Sequence, residues 1–149
     1  MIPITIDEIL NFNDTQDTTL ETMGVVVEGW LLGARHEGPE SPNCHSPTRR
    51  DFHMWMGDSP KRPANANQAM AMRRDSVVVE PTPNIQELHP SWTEAGIKSL
   101  VRKRIRVTGW LMYDPEHPDQ IDRTRGTLWE VHPVMIIEVL QPDGTWQEF

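Results

Sequence analysis

The sequence predicts a mainly β fold, organised as a small barrel of five strands. Apolar and β-branched residues recur in five stretches, and segments rich in proline, glycine and charged residues separate these stretches. A single helical stretch falls between the third and the fourth of them. The chain has 149 residues, which is long enough to bury one core, and its 13 prolines and 9 glycines require extensive loops.

Residues 1–22 are expected to form a short helix followed by a polar linker. The segment 5–8 has the Thr-x-x-Glu form of a capping box, and apolar residues follow it. Those apolar residues need a surface to cover, so we expect the helix to pack over Trp30 and Trp110 on the barrel. Residues 23–149 then form the barrel, and the two parts make one globular domain.

A capping box at 91–94 begins the predicted central helix, and the polar segment 57–75 is expected to be an exposed loop. Pro133 interrupts the last strand and indicates a bulge or an edge position there. Three strands, a helix and two strands follow the order of the OB-fold, a five-stranded Greek-key barrel. The predicted strands are residues 24–35, 51–56, 76–80, 104–113 and 128–140.

Three motifs in these strands resemble a group of uncharacterised bacterial OB-fold-like proteins. They are Asp51-x-His53, Val107-x-Gly109-Trp110-Leu111 and Trp129-Glu130-x-His132-Pro133. The resemblance spans residues 24–140, and the third motif is its most specific part. It implies the barrel fold and implies no activity.

Charge, cysteine content and the lack of long apolar runs limit the classes of protein to which this chain could belong. The net charge of −8 argues against a protein that coats nucleic acid through bulk electrostatics. Cys44 is the single cysteine, so the chain forms no internal disulfide. The first residues lack the basic and apolar regions of a secretory signal, and no apolar run has the length of a membrane span. These features lead us to expect a cytoplasmic protein without a membrane span.

The first functional hypothesis is a ligand-binding module. OB barrels bind ligands across their second and third strands, between two loops. Here the loops 36–50 and 115–126 would flank the face formed by Asp51, His53 and Trp55. Single-stranded nucleic acid is a candidate ligand, because aromatic rings stack on bases and arginines hold phosphates. The candidate ligand-binding residues are Asp51, His53, Trp55, Arg49, His117, Arg123, Arg125 and Trp129.

The second hypothesis is a divalent-metal-dependent hydrolase of the phosphoesterase or nuclease type. Asp51-x-His53 and Glu130-x-His132 each place a carboxylate and an imidazole on one face of a strand. Such groups suit zinc or manganese, and the bound ion can generate hydroxide from water. The candidate metal ligands are His53, Glu130 and His132.

A third hypothesis is a structural or interaction domain that binds a protein partner within a larger assembly. The sequence favours a binding module over an enzyme, because OB barrels serve mainly as binding surfaces. It does not identify the ligand.

Overall fold

The computed structural model describes residues 1–39, 44–60 and 64–149. Parts of the predicted loops 36–50 and 57–75 therefore lie outside the described residues. The strands are β1 (Ile2–Ile4), β2 (Gly24–His36), β3 (Phe52–Gly57), β4 (Val77–Val79), β5 (Arg104–Tyr113), β6 (Trp129–Leu140) and β7 (Trp146–Glu148). The α-helices are α1 (Ile6–Leu10), α2 (Ala66–Arg74), α3 (Pro83–Gln86) and α4 (Glu94–Ser99).

Five strands close into a barrel. They pair in the order β2, β3, β4, β6, β5, and β5 pairs back onto β2. The β4–β6 pairing is parallel, and the other four pairings of the ring are antiparallel. Helix α4 lies between β4 and β5 in the chain. This is the strand order of an OB-like barrel, so the predicted fold class is confirmed.

The N-terminal segment packs into the barrel core. Strand β1 pairs in parallel with β2, and Ile6 and Ile9 of α1 are fully buried within the core. A Cβ atom at Gly29 would lie 2.5 Å from the Cδ1 atom of Ile6, which shows how closely the helix approaches β2. The expectation that this helix covers Trp110 is wrong, because the Trp110 side chain remains 42% exposed. The helix buries its apolar residues in the core instead.

Two local predictions about helices are corrected. Residues 57–75 are not only a loop, because α2 forms there with Asn65 as its N-cap; the Asn65 side chain accepts a hydrogen bond from the Gln68 backbone. Helix α4 starts two residues later than the predicted capping box. Its N-cap is Thr93, whose hydroxyl accepts a hydrogen bond from the Gly96 N–H.

The predicted bulge in β6 is confirmed. Gly109 pairs with Val134 and Leu111 with Val131, so β6 carries one more residue than β5 between these two pairs. The extra length falls at the His132–Pro133 peptide. A Cβ atom at Gly109 would lie 2.5 Å from the Pro133 carbonyl oxygen, so only glycine allows β5 to run this close to the bulge.

Helices in the described ranges are too short or too polar to cross a lipid bilayer.

Candidate metal centre

A cavity of about 190 Å³ lies beside β3, β4 and β6. Glu37 comes to it from the first long loop, and Pro115, Glu116, His117 and Gln120 come from the second. The remaining lining residues come from the barrel strands and the segments that flank them. The described lining residues are Glu37, His53, Glu80, Met112, Tyr113, Asp114, Pro115, Glu116, His117, Gln120, Arg125, Glu130 and His132.

Strand pairing explains how distant residues meet at this cavity. Strand β4 lies between β3 and β6, and Val79 pairs with Met54 on one side and with Val131 on the other. Glu80 follows directly after β4, and its N–H donates to the Val131 carbonyl at 2.9 Å. The carboxyl group of Glu80 therefore lies between the histidines of the two flanking strands.

Asp51, Glu80 and His132 form a cluster that could hold a metal ion. One ligand atom from each of these residues lies within 4.8 Å of the other two. Asp51 and Glu80 are buried, and His132 is nearly so. Two carboxylates and one imidazole form a mixed oxygen and nitrogen ligand set that suits zinc, manganese and related divalent ions.

Each ring nitrogen of His132 lies within 4 Å of a carboxylate oxygen. Its Nε2 atom lies 3.8 Å from Oδ2 of Asp51, inside the cluster. Its Nδ1 atom lies 3.3 Å from Oε1 of Glu130. In protein metal sites a ligating histidine commonly turns its second nitrogen to a carboxylate, which orients the ring. Glu130, which the sequence suggested as a ligand, lies beside His132 but outside the three-residue cluster, and Nδ1 of His132 has no hydrogen-bond partner among the described residues.

His53 lies on the other side of Glu80. Its Nδ1 atom lies 2.8 Å from Oε1 of Glu37 and 3.0 Å from Oε1 of Glu80. The ring is almost completely buried, and its Nε2 atom has no hydrogen-bond partner among the described residues. Buried polar atoms normally have a partner, so this nitrogen is an exception among the buried groups of the site.

Arg125 links the cavity wall to the second loop. The side chain is only 1% exposed, and its Nη1 donates to Oδ2 of Asp114 at 2.6 Å. Its Nη2 donates to Oε2 of Glu130 at 3.0 Å. Oδ2 of Asp114 also lies 2.8 Å from Nδ1 of His117. One buried guanidinium thus holds two carboxylates, which in turn contact His117 and His132.

The protonation of these groups depends on their neighbours. Burial opposes a charge on His53, yet the hydrogen bonds to Glu37 and Glu80 raise its pKa to about 9. Burial opposes the charge on His132 as well, but the carboxylates around it, first Glu130, raise its pKa to about 9. Burial and the charge of Glu130 raise the pKa of Glu80 to about 7.

The pKa of Glu37 moves in the opposite direction. Burial alone would raise it, but the hydrogen bond and the charge of His53, together with Arg35, lower it to about 2. The pKa of Asp114 is lowered as well. Burial favours its neutral form, but the charge of Arg125 and the contact with His117 lower its pKa. The cavity therefore contains stable carboxylates that attract cations.

Four of the residues predicted to bind a ligand lie away from the triad. Trp55 is 3% exposed, and the guanidinium carbons of Arg35 and Arg73 lie 5.4 and 4.6 Å from the centroid of its ring. Trp129 is fully buried in the core. Arg49 is exposed and pairs with Glu87, and Arg123 is exposed.

The other predicted residues meet around the cavity. His53, Glu130, His132, His117 and Arg125 line it, and Asp51 belongs to the triad behind it. Glu37, Glu80 and Asp114 were not among the candidate ligand-binding or metal residues predicted from the sequence, although they belong to this site. The signal for Glu80 was a carboxyl group at the end of the fully buried strand Val77–Val79. An acidic residue there needs a charged partner or a ligand.

Comparison with known proteins adds no relative: no protein-family model matches the chain, and no curated protein matches it at a significant level.

Proposed function

We propose that this protein is a metal-binding OB-like module that holds one divalent cation between Asp51, Glu80 and His132. The observation that carries the proposal is the convergence of these three side chains, from the start of β3, the end of β4 and the bulged part of β6, with their ligand atoms within 4.8 Å. Zinc and manganese fit this ligand set best, because both accept carboxylate oxygens together with imidazole nitrogen.

The charged side chains that line the cavity favour the binding of a cation. Arg125 is the one guanidinium among the described residues that line the cavity, and it is already held by Asp114 and Glu130. Glu80 lies 3.0 Å from the ring of His53, and Asp51 lies 3.8 Å from the ring of His132, so each of these carboxylates has a histidine proton nearby. A bound divalent ion would replace those protons and stabilise the carboxylates directly.

A second candidate function is metal-dependent hydrolysis at the same site. The triad supplies three protein ligands, and catalytic zinc sites keep three such ligands with a further position for water. The adjoining cavity gives water and a substrate access to that position.

Binding of single-stranded nucleic acid has less support. That hypothesis required an exposed Trp55 ring beside arginine side chains, and the ring is buried beneath Arg35 and Arg73. A fluorescently labelled single-stranded oligonucleotide tests it directly. Binding that weakens steeply as salt increases would restore nucleic acid as the ligand.

The test of the metal proposal is titration of the tag-free, chelator-treated protein with Mn²⁺ and with Zn²⁺ in a calorimeter. We expect one equivalent of ion to bind, and we expect Asp51→Asn and His132→Gln to weaken binding at least tenfold. Asp119→Asn is the matched control, because it removes an exposed carboxylate from the loop beside the cavity. Absence of binding, or equal binding by all variants, would refute the proposal.

A further inference from the structure

We propose that His53 positions Glu80 for the metal ion and leaves it one metal-binding oxygen, so that the site selects Mn²⁺ or Zn²⁺ over Ca²⁺. This inference rests on the metal-binding function proposed above and adds to it a positioning residue and the class of ion. His53 is not one of the three residues whose ligand atoms meet in the cluster, although the sequence suggested it as a ligand.

The ring of His53 makes a hydrogen bond to the carboxylate of Glu80. Its Nδ1 atom lies 3.0 Å from Oε1 of Glu80 and 2.8 Å from Oε1 of Glu37. Carboxylate oxygens accept hydrogen bonds, so Nδ1 carries the proton and donates it toward both. The three side chains are at most 13% exposed, so water has little access to replace this contact. Hydrogen bonds of this kind orient the carboxylates that bind metal ions in proteins.

The His53 ring is itself held in place. Its centroid lies 4.5 Å from that of the Trp55 ring, which is 3% exposed. Arg35 pairs with His53 across β2 and β3, and its guanidinium lies 3.0 Å from Oε1 of Glu37. Arg35 therefore anchors Glu37, and Glu37 anchors His53. A ligand carboxylate held by such a chain of contacts keeps its direction before an ion binds.

The contact with His53 determines how Glu80 binds an ion. It engages Oε1, so Oε2 is the oxygen left for the metal. Ca²⁺ takes about six to eight oxygen ligands, many of them from bidentate carboxylates, whereas Zn²⁺ takes about four ligands and accepts imidazole. A Glu80 that offers one oxygen, beside the imidazole of His132, supplies too few oxygen ligands for Ca²⁺. The arrangement therefore favours Mn²⁺ and Zn²⁺.

The experiment compares two replacements of His53 in the full chain, after a chelator has removed bound metal. His53→Asn keeps a side-chain N–H close to the position of Nδ1, because both nitrogens are bonded to Cγ. His53→Leu removes the donor and fills a similar volume. The loss of the electron paramagnetic resonance signal of free Mn²⁺ measures binding, first with Mn²⁺ alone and then with Ca²⁺ added as a competitor.

We expect His53→Leu to weaken Mn²⁺ binding by at least about tenfold, as other losses of such supporting contacts do. The ratio of Mn²⁺ affinity to Ca²⁺ affinity should fall by a similar factor, because Glu80 is then free to offer both oxygens. His53→Asn should keep both values within about threefold of the unsubstituted protein, because the donor is retained. His45→Leu, in an exposed loop, is the control and should change neither value.

A merely structural role of His53 would give a different result. It would weaken the binding of both ions alike and leave their ratio unchanged, and that outcome overturns the inference. Equal weakening by His53→Asn and His53→Leu overturns it as well. Urea denaturation checks that each variant folds. His53→Val removes the donor with a side chain that suits a strand, and it provides the comparison if His53→Leu does not fold.

The unsubstituted protein separates this inference from the metal-binding function. If it binds Mn²⁺ and His53→Leu keeps its affinity and its selectivity, this inference fails and the metal-binding function stands. If the unsubstituted protein binds neither Mn²⁺ nor Zn²⁺, both fail.

Discussion

Arg125 and Glu130 form a buried ion pair, with Nη2 of the guanidinium 3.0 Å from Oε2 of the carboxylate. Both side chains are at most 3% exposed. The other oxygen of Glu130 lies 3.3 Å from Nδ1 of His132. The ion pair therefore fixes a carboxylate that lies beside a proposed metal ligand, and it joins the second loop to β6.

Replacing Arg125 with methionine should destabilise the protein strongly. The change leaves the carboxylates of Asp114 and Glu130 buried without their cation, and breaking a buried ion pair costs about 3 to 5 kcal/mol of unfolding free energy. Urea denaturation measures this loss. Arg123→Met is the matched control, because Arg123 is exposed in the same loop and its loss should change stability by less than about 0.5 kcal/mol.

A double variant separates the loss of charge pairing from a general loss of folding. Arg125→Met combined with Glu130→Gln removes one of the two unpaired charges that the single variant leaves behind, that of Glu130. We expect the double variant to be more stable than Arg125→Met alone. Equal stability of the two variants would show that the ion pair is not the source of the effect.

Gly109→Ala should disturb the bulge that carries His132. The new Cβ atom would lie 2.5 Å from the Pro133 carbonyl oxygen, so β6 must move away from β5. We expect a loss of about 1 to 3 kcal/mol, as for other overpacked positions, together with weaker Mn²⁺ binding. Gly38→Ala is the control, because its Cβ atom would meet no atom of the described residues within 4 Å. Unchanged metal affinity in Gly109→Ala would separate the bulge from the site.

The barrel could be predicted because its signals are local. The five strands alternate with turn-forming segments, and Pro133 within β6 predicted the bulge found there. Helix α2 was not predicted, because its residues carry no marked apolar stripe and the helix buries none of them. Its Asn65 cap is a signal that also occurs in loops.

The site was predictable only in part. The sequence identified Asp51 and His132 as candidate site residues, because their motifs pair a carboxylate with an imidazole. Glu80 was not among the candidate site residues, because its place beside His132 depends on the parallel pairing of β4 with β6. That pairing joins residues about fifty positions apart. The burial of Trp55 depends on Arg35 and Arg73 from other elements. Contacts of this kind arise from the closed fold and leave no local pattern.

Ile6→Ala should show that α1 belongs to the barrel core. Ile6 is fully buried, and truncation of a buried isoleucine to alanine costs about 2 to 5 kcal/mol. The control is Ile2→Ala, because Ile2 is 52% exposed and makes little contact with the core. Urea denaturation of both variants gives the comparison. Similar stability of the two variants would mean that the helix is not part of the cooperative unit.

The metal-free protein should be most stable near pH 5 and lose stability as the pH rises to 9. The pKa values of His53 and His132 are raised from 6.5 to about 9, so their contribution is complete below pH 6.5 and is lost by about pH 9. The pKa of Glu80 is raised from 4.5 to about 7, so its contribution is lost over that interval. The pKa of Glu37 is lowered from 4.5 to about 2, so its contribution to stability is present above pH 4.5 and is lost as the pH falls toward 2.

Urea denaturation in the presence of a chelator, at pH 5, 7 and 9, measures this dependence. The fall should be on the order of a few kcal/mol, because each unit of pKa shift corresponds to about 1.4 kcal/mol. The double variant His53→Gln with His132→Gln should flatten the decline above pH 6.5, since both titrating rings are gone. Saturating Mn²⁺ should reverse the decline in stability of the unsubstituted protein, because the ion binds the deprotonated ligands and competes with protons. A stability that rises between pH 6 and pH 9 without metal would show that the histidines are not held as cations by the carboxylates around them.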